Sequence, residues 1–368
     1  MGNYRIRTLN VTSDRDYEDW ERLVNRLPFK DTFITPEYAQ ISKAYFKNEP
    51  QLFVYGNEDN YITYFFIKRR ISELPFITSN DLGGGEYFDI ISPEYGGPVG
   101  YFSDEQIEKE LFKEFFVKFD LFCEENNIVS EFCRLNPFLP SLHIIIEFRL
   151  AEKNRDVVYI DLTKGEEEIW NGFRKGTKSS TQKGLKSGVK VSHSKSPIHI
   201  QRMYEIYTHT MERNKAKEDY FHSKRFFELL IETLGDKVEM FVAEYDGRTV
   251  SASLFLTYGD VCHYFLSGTD EDYFRVCPND VILYEAIRWA KKNGFRIFHL
   301  GGGYQPNDGL FHFKSGFSKT FAEFFVYKKI HNLEYYNTLC LKRDKYEKSL
   351  IPDSKVKDPG FFPEYRRN

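Results

Sequence analysis

The chain has 368 residues, a formal net charge of −4, 41% hydrophobic residues and 17% aromatic residues. This length suffices for two domains, and the net charge excludes a general attraction to DNA, so any basic surface must be local. The five cysteines form no C-x-x-C pair, which indicates reduced thiols and no zinc framework. A polar start and the lack of a run of ~20 apolar residues predict a cytoplasmic protein without a membrane span, with peripheral membrane contact left open.

Strand and helix signals alternate along the first half. "RIRTLNV" alternates like a strand, and "DYEDWERLVNRL" has helical spacing. A second helix, "PEYAQISKAYF", opens with Pro36, which suits a first helical turn. A hairpin follows around Asn57–Asn60, then a long amphipathic helix and the strand "IVSEFCRLNP".

The second half repeats this order. "GEEEIWNGFRKGTKSSTQKGLKSG" predicts a helix broken by glycines, and two more helices follow. A three-strand meander turns first at Asp246-Gly247, and "PNDVILYEAIRWAKKNG" predicts a helix that leads into the strand "FRIFHLGGG". The alternating stretch "GLFHFKSGF" is expected to be one more strand.

An internal repeat is visible at a constant offset. Phe53-Val54 matches Phe241-Val242, and the turn Asn57–Asn60 matches Tyr245–Arg248. We therefore predict two copies of one α/β unit. The first covers residues 1–152 and is completed by the C-terminal segment 321–368, and the second covers 153–320.

Five local motifs carry a resemblance to a known family. They are "YGGPV", "MERN", "HYFLSGT", "PNDVILYEAIRWAKKNGFRIFHLGGG" and "GLFHFKSGF". In this order the chain resembles the FemAB/FemX-like aminoacyltransferases and their relatives with a BioF2-like acetyltransferase domain. The resemblance implies an α/β (α+β) fold of two tandem GNAT-like units, each a mixed, mostly antiparallel sheet flanked by helices. It also implies a compact, FemX-like build, because no long heptad run is present.

The resemblance implies acyl transfer to an amine. The expected reaction passes an aminoacyl group from aminoacyl-tRNA to a cell-envelope precursor, glycan or metabolite, in cell-wall or polysaccharide biosynthesis. No further cofactor is expected. Two alternatives stay open, namely an N-acyltransferase that uses acetyl-CoA, acyl-CoA or a carrier protein, and a non-catalytic ligand-binding module.

The segment "HLGGGYQPNDGLFHFKSGFS" contains glycines and a lysine, but it is not a Walker loop. That motif requires G-x-x-x-x-G-K-[ST] leading directly into a helix. By resemblance, Lys314 and Phe313 instead lie in the active centre, where a lysine could stabilise developing negative charge. The alternative without a catalytic role is an exposed lysine on an edge strand.

The resemblance assigns further residues to the substrates. Asp104 is a candidate catalytic residue, although "SDEQ" also fits a helix N-cap, which is the interpretation we favour. Phe265 and Ser267 replace tyrosines common in peptidoglycan-directed members, which leaves the acceptor open. The candidate substrate-binding residues are Thr35, Glu37, Tyr38, Tyr95, Arg213, Tyr264 and Ser267.

A basic segment lies in the second half. No acidic residue occurs between Ile169 and Tyr204, so this stretch predicts a local surface for RNA or a diphosphate. A solvated helix face is the bland alternative. The candidate polyanion-binding residues are Arg174, Lys175, Lys178, Lys183 and Lys186.

Other kinds of site find little support. His263, His299 and His312 are expected on strands and show no metal-ligand spacing, so no metal site is predicted. A CoA-dependent GNAT protein carries a glycine-rich loop before its main helix, whereas "DYFRVCPNDVI" contains no glycine. This absence favours a donor that is held differently.

Overall fold

A computed structural model describes residues 4–78, 81, 85–305, 308–350 and 360–367. The chain divides into two units. The first comprises Met1–Phe29, Phe33–Asn154 and Phe324–Asn368, and the second comprises Lys30–Thr32 and Arg155–Glu323. The predicted boundaries at 152 and 320 fall a few residues earlier, and the short segment Lys30–Thr32 was expected in the first unit.

The first unit is built on a mixed sheet. Its strands follow the order β1-β2-β3-β4-β6-β13, with β5 also paired to β3. All these pairs are antiparallel except β4 with β6, which is parallel. The strands are β1 (Arg5–Leu9), β2 (Glu49–Gly56), β3 (Asn60–Arg70), β4 (Phe88–Ile91), β5 (Val99–Phe102), β6 (Ile128–Arg134) and β13 (Thr320–Ile330). The helices are α1 (Asp14–Arg26), α2 (Pro36–Phe46), α3 (Glu108–Glu125), α4 (Leu142–Arg149) and α11 (Leu333–Leu350).

Local sequence explains how the first helices begin. The Ser13 side chain accepts a hydrogen bond from the backbone N–H of Asp16 and caps α1. Thr35 caps α2 in the same way by accepting from the N–H of Tyr38, and Pro36 occupies the first turn. These caps place residues 35–38 at the start of α2, where the family resemblance had located acceptor contacts.

The second unit repeats the arrangement. Its strands follow the order β7-β12-β11-β10-β9-β8, and its one parallel pair among the described strands is β11 with β12. The strands are β7 (Glu152–Asp161), β8 (Lys190–His193), β9 (Val238–Tyr245), β10 (Arg248–Tyr258), β11 (Val261–Thr269) and β12 (Ile297–Gly301). The helices are α5 (Glu166–Gly172), α6 (Lys175–Lys186), α7 (Pro197–Arg213), α8 (Lys224–Leu234), α9 (Pro278–Lys292) and α10 (Gly309–Lys314).

The repeat predicted at offset 188 has a structural counterpart. In both units two helices precede an antiparallel meander, and a further helix then connects two parallel strands. The first meander turn lies between Gly56 and Asn60 in one unit and between Tyr245 and Arg248 in the other. The core of the second unit lies under α9, whose buried face includes Val281, Leu283 and Ile287.

The predicted glycine-broken helix is in fact two helices, α5 and α6. The chain is extended at Phe173 and Arg174 between them. Phe173 turns inward and packs against Phe317, with 5.2 Å between ring centroids, so burial of its ring breaks the helix there. Among the described residues, no helix is long and apolar enough to cross a membrane.

Candidate active site

Lys314 ends a helix, and the prediction of a strand at this position was wrong. Asp308 caps α10 by accepting a hydrogen bond from the N–H of Phe311 at 2.8 Å. The alternation of Phe311, Phe313 and the intervening polar residues imitates a strand, but one and a half helical turns accommodate it equally well. The helix is short, and it presents Lys314 to the interior of the second unit.

The Lys314 ammonium is buried and sparsely hydrogen-bonded. The residue is 9% exposed, and Nζ donates to the carbonyl oxygen of Gly302 at 2.8 Å. This is its one hydrogen bond within the described part of the chain. Burial lowers the Lys314 pKa from 10.5 to about 8, and the Asp308 carboxylate opposes that shift only in part. An ammonium so placed has donors available for an anionic ligand.

Residues 301–303, the three consecutive glycines, begin the loop that leads to α10, and the Gly302 carbonyl accepts the Lys314 hydrogen bond. Asp308 Oδ2 accepts from the N–H groups of Tyr304 and Gln305 at 2.6 and 2.9 Å. A Cβ on Gly303 would lie 2.0 Å from Asp308 Oδ1, so only glycine allows this close approach. Arg155 donates to the Gly303 and Tyr304 carbonyls from the other side. The glycines therefore shape the loop that precedes α10 and accepts the Lys314 hydrogen bond. Residues 306 and 307 of this loop lie outside the described ranges.

Phe313 packs beside the lysine. It is half-buried and lies 5.5 Å from the Phe317 ring in an edge-on arrangement. The Phe317 ring in turn contacts Phe173. These contacts anchor α10 to the core, so the structure gives Phe313 a packing role, and its assignment to catalysis stays a prediction.

A buried chain of polar side chains also lies in the second unit. His263 Nε2 is 2.7 Å from Asp31 Oδ2, and His263 Nδ1 is 3.0 Å from His299 Nδ1. All three residues are at most 2% exposed. Burial, His263 and the Lys314 charge all hold the His299 pKa well below its usual value. Sequence reasoning did not identify this chain, and its one usable signal was the direct register of His263 with His299 on parallel strands.

Tyr264 and Ser267 come together around Asn279. The Asn279 side-chain amide contacts Tyr264 Oη at 3.1 Å and Ser267 Oγ at 3.2 Å. Residues three apart on a regular strand face opposite sides, but the β10–β11 register shifts next to Phe265, which is a bulge. Burial raises the Tyr264 pKa. These two residues therefore share a face with Asn279, and their assignment to substrate binding stays a prediction.

Arg213 lies at the exposed end of α7. Its guanidinium carbon is 4.8 Å from the centroid of the Phe274 ring, a cation–π arrangement. It also reaches the Thr269 carbonyl, at 3.5 Å. Neither contact involves Tyr264, Ser267 or Lys314, so the role of Arg213 in binding an acceptor stays a prediction.

Some side chains of the basic segment form hydrogen bonds within the protein, and others are exposed to solvent. Arg174 donates to the His312 ring and carbonyl at 2.8 and 3.0 Å, beside Lys314. Lys178 donates to the Asn171 carbonyl and lies 5.9 Å from the Trp170 ring. The remaining lysines of α6 are exposed and make no ion pair with any described residue; they are Lys175, Lys183 and Lys186.

Helix α6 also covers the start of α9. A Cβ on Gly184 would lie 2.9 Å from the Val276 carbonyl oxygen and 2.5 Å from Val281. The two helices therefore touch at the end where α9 begins. Asp280 lies in the first turn of α9, and burial raises its pKa to about 6. An acidic group and a covering helix occupy the place where a helix N-terminus would otherwise attract an anion.

The first-unit candidates lie around the start of α2. Thr35 and Tyr38 are buried, and the Tyr38 ring packs edge-on against Phe33 at 4.9 Å. Tyr95 contacts the same Phe33 ring at 5.8 Å. Glu37 is 9% exposed, and its carboxylate adds to the burial that raises the Tyr17 pKa. The structure therefore brings this group of predicted residues together.

Asp104 acts as a cap. It is exposed, and its side chain accepts from the N–H of Gln106 at 2.9 Å at the start of a 3-10 helix, Glu105–Ile107. This is the role that we favoured from the sequence. Its assignment to catalysis stays a prediction.

The chain is similar to proteins of known family and fold. Residues 171–315 match the family model described as acetyltransferase (GNAT) domain. A UDP-N-acetylmuramoylpentapeptide-lysine N(6)-alanyltransferase of Weissella viridescens is 27% identical over 149 residues. That match covers 39% of this chain and 42% of the relative, so the chain is matched over less than half of that protein's length.

Solved structures share the whole fold. A crystal structure of FemX has a TM-score of 0.66 at 14% identity and covers 90% of this chain and 99% of its own. A tandem GNAT protein from the clavulanic acid biosynthesis pathway has a TM-score of 0.50 at 8% identity, with 90% and 99% covered. At these identities the likeness shows the fold alone. The chain is thus a tandem GNAT-like protein with a FemX-like fold, and its predicted resemblance to the FemAB/FemX-like family is confirmed.

Proposed function

We propose that this chain is an acyltransferase that moves an aminoacyl group from aminoacyl-tRNA to an amine on a cell-wall precursor. The observation that carries the proposal is the buried Lys314 ammonium, which makes one hydrogen bond within the described residues. Burying a charge with so few partners is costly, and this cost is explained if a substrate supplies the missing negative charge. The partial match to an alanyltransferase of a muramoyl-pentapeptide supports the choice of an aminoacyl group and of the acceptor, and the choice of aminoacyl-tRNA as donor rests on the family resemblance.

The chemistry follows from the position of Lys314. The acceptor amine attacks the ester carbonyl carbon, a C–N bond forms, and the carbonyl oxygen gains negative charge. The ester C–O bond then breaks, and the leaving sugar oxygen takes the proton that the amine loses. A buried ammonium stabilises the developing oxyanion far more than an exposed one would, because little water screens it. The reaction written in this way needs no further cofactor.

The donor would lie along α6. The exposed lysines of this helix have no acidic partner among the described residues, so a polyanion can release its counterions on binding. Arg174 stands at the start of this helix and donates to His312 of α10. The basic surface therefore continues to the helix that carries Lys314. The proposed polyanion-binding residues are therefore Lys175, Lys183 and Lys186, with Arg174 and Lys178 in supporting roles.

The acceptor assignments rest on the family resemblance. We retain Tyr264 and Ser267 as acceptor contacts in the second unit, because Asn279 holds both on one face. In the first unit, the cluster of Thr35, Glu37, Tyr38 and Tyr95 is retained for the same role. A cytoplasmic location is part of the proposal, since aminoacyl-tRNA is a cytoplasmic substrate, and all five cysteines are free thiols, which fits a reducing compartment.

A CoA-dependent acyltransferase is the second candidate. The match to a GNAT acetyltransferase model favours it. The start of α9 argues against it, because α6 packs there and the Asp280 carboxylate would repel a pyrophosphate. The buried Lys314 argues against the third possibility, a binding module without catalysis, because a buried ammonium with one hydrogen bond among the described residues is retained at a cost in stability.

The proposal is tested by offering both kinds of donor. Purified protein is mixed with radiolabelled alanyl-tRNA or acetyl-CoA and with UDP-N-acetylmuramoyl-pentapeptide, and transfer to the lysine amine is followed. We expect transfer from alanyl-tRNA, and a loss of about 10²-fold or more in Lys314→Met, the scale of one electrostatic stabiliser. Lys319→Met, at an exposed lysine, is the matched control and should retain wild-type activity.

Two results would contradict the proposal. Transfer from acetyl-CoA but not from alanyl-tRNA would establish the second candidate. Equal activity of Lys314→Met and Lys319→Met would remove Lys314 from the reaction.

A further inference from the structure

The hydrogen-bonded chain of Asp31, His263 and His299, here called the histidine chain, is continuous and buried. Its two links measure 2.7 and 3.0 Å, and its members are between 0% and 2% exposed. Nδ1 of His263 and Nδ1 of His299 face each other. Because each member is hydrogen-bonded to the next, the chain is suited to carrying protons.

Asp31 reaches His263 on a short segment that packs on the second unit. The segment Lys30–Thr32 belongs to the second unit although its neighbours in sequence belong to the first. It lies against the β10–β11 turn, where Gly259 has φ +64°. A Cβ on Gly259 would lie 2.5 Å from the Lys30 carbonyl oxygen. A glycine is needed at this turn so that the Lys30–Thr32 backbone can reach the sheet and place Asp31 beside His263.

The Asp31 carboxylate determines which ring nitrogen of each histidine carries a proton. An ionised carboxylate only accepts hydrogen bonds, so Asp31 requires a proton on Nε2 of His263. Nδ1 of a neutral His263 then accepts, and Nδ1 of His299 must donate to it. The lone pair of His299 is consequently on Nε2, the ring nitrogen not used within the chain.

The charge of Lys314 acts on the other end of the chain. The Lys314 charge and the burial of the ring both oppose an imidazolium at His299, whose pKa lies well below its usual value. His299 can still take a proton on Nε2 if it passes its Nδ1 proton to His263 in the same event. The charge then rests on His263, next to the Asp31 carboxylate and one residue farther from Lys314. His299 alone would be a poor base, because burial and the Lys314 charge oppose its protonation. The second histidine lets the charge move away from Lys314 and toward Asp31.

We propose that the histidine chain receives the proton that the acceptor amine loses during acyl transfer. The amine proton moves to Nε2 of His299, the Nδ1 proton of His299 moves to Nδ1 of His263, and Asp31 stabilises the resulting imidazolium. The proton returns along the same path to the leaving oxygen when the ester C–O bond breaks. His299 is the entry point of the proton, and Asp31 and His263 are positioning residues. The inference rests on the proposed acyl transfer.

Activity tests the chain through two variants. Asp31→Asn keeps the shape but lets the amide donate to His263, which reverses every proton in the chain. His299→Gln removes the entry point. We expect kcat with alanyl-tRNA to fall about 10²-fold or more in both, the scale of general-base catalysis. His209→Gln, at an exposed histidine of α7, is the matched control and should behave as wild type.

The pH profile separates a proton-carrying role from a structural one. The charged groups facing the chain are Asp31 at one end and Lys314, with its neighbour Asp308, at the other. A chain that takes up the amine proton can do so only while it is not already fully protonated, so the activity of the wild type should fall at low pH. Asp31→Asn removes the charge at one end of the chain, so the acid limb of its residual activity should lie at a different pH from that of wild type. An unmoved acid limb would overturn the proposal.

Nitrogen-15 NMR of the resting protein tests the chain without any substrate. With ¹⁵N-labelled histidine, and with His263→Gln and His299→Gln for assignment, we expect the Nε2–H form of His263 and the Nδ1–H form of His299 at neutral pH. An Nε2–H form of His299 would overturn the proposal even if both variants lost activity by unfolding. If the expected forms are seen but the wild type transfers no acyl group, the proposed function fails and the proton order of the chain stands.

Discussion

Replacing Lys314 with methionine should stabilise the protein while it removes activity. The lowered pKa reflects the net cost of burying the charged form, after the opposing effect of the Asp308 carboxylate. A change from 10.5 to about 8 corresponds to about 3 kcal/mol, at about 1.4 kcal/mol per pKa unit. The hydrogen bond to Gly302 is removed as well, which offsets about 1 kcal/mol. Met has similar length and no charge, so we expect Lys314→Met to gain about 2 kcal/mol at pH 7.

The pH dependence of that gain identifies its cause. Between pH 8 and 10.5 the unfolded chain binds the Lys314 proton more strongly than the folded protein does, so wild-type stability rises with pH in this window. The advantage of Lys314→Met is therefore full below pH 8 and shrinks as the pH approaches 10.5.

Urea unfolding of both proteins at pH 7 and at pH 10 measures this difference. Lys319→Met serves as the surface control and should change stability by less than about 0.5 kcal/mol at either pH. A Lys314→Met variant that is less stable than wild type at pH 7 would contradict this prediction, because it would mean that the ammonium is well satisfied in the folded protein. A gain that is the same at both pH values would assign the effect to packing and not to charge.

Three further predictions concern other parts of the second unit. Because Lys314 acts as an ammonium, kcat/KM should fall as pH rises through about 8; a rise through this pH, seen in a pH–rate profile, would instead mark it as a base. Gly259→Ala should lower the free energy of unfolding by about 1–3 kcal/mol, measured by urea titration, since the residue has φ +64° and faces the Lys30 backbone; a neutral effect would mean that Lys30–Thr32 is not held there. Replacing the three exposed lysines of α6 with glutamine should flatten the slope of log K against log salt for tRNA by about one for each phosphate that is no longer neutralised, and an unchanged slope would return α6 to a solvated face. Those lysines are Lys175, Lys183 and Lys186.

Most of the architecture could be predicted from local sequence signals. Periodicity of 3.6 residues identified α1, and start and stop signals identified α9. Alternation with a tight turn identified the hairpins of both meanders. All these signals depend on neighbours within a few residues. The cap at Thr35 is equally local, since a side-chain oxygen reaches an N–H only three residues away. Lys314 was singled out by its motif and not by its physical setting. An alternating stretch of six residues is compatible with a strand or a helix, and the Asp308 cap decided for the helix.

The chemistry of the site depends on packing between residues that are far apart in the sequence. The depressed pKa of Lys314 comes from burial, which depends on how the glycine loop folds over the side chain. Tyr264 and Ser267 share a face because of a bulge, and one extra residue in a strand leaves no mark in the sequence pattern. Asp31 and His263 are 232 residues apart, and they meet because the short segment Lys30–Thr32 leaves its sequence neighbours and packs on the sheet of the second unit. Contacts at such separations are set by the packing of whole elements, and residue spacing carries no record of them.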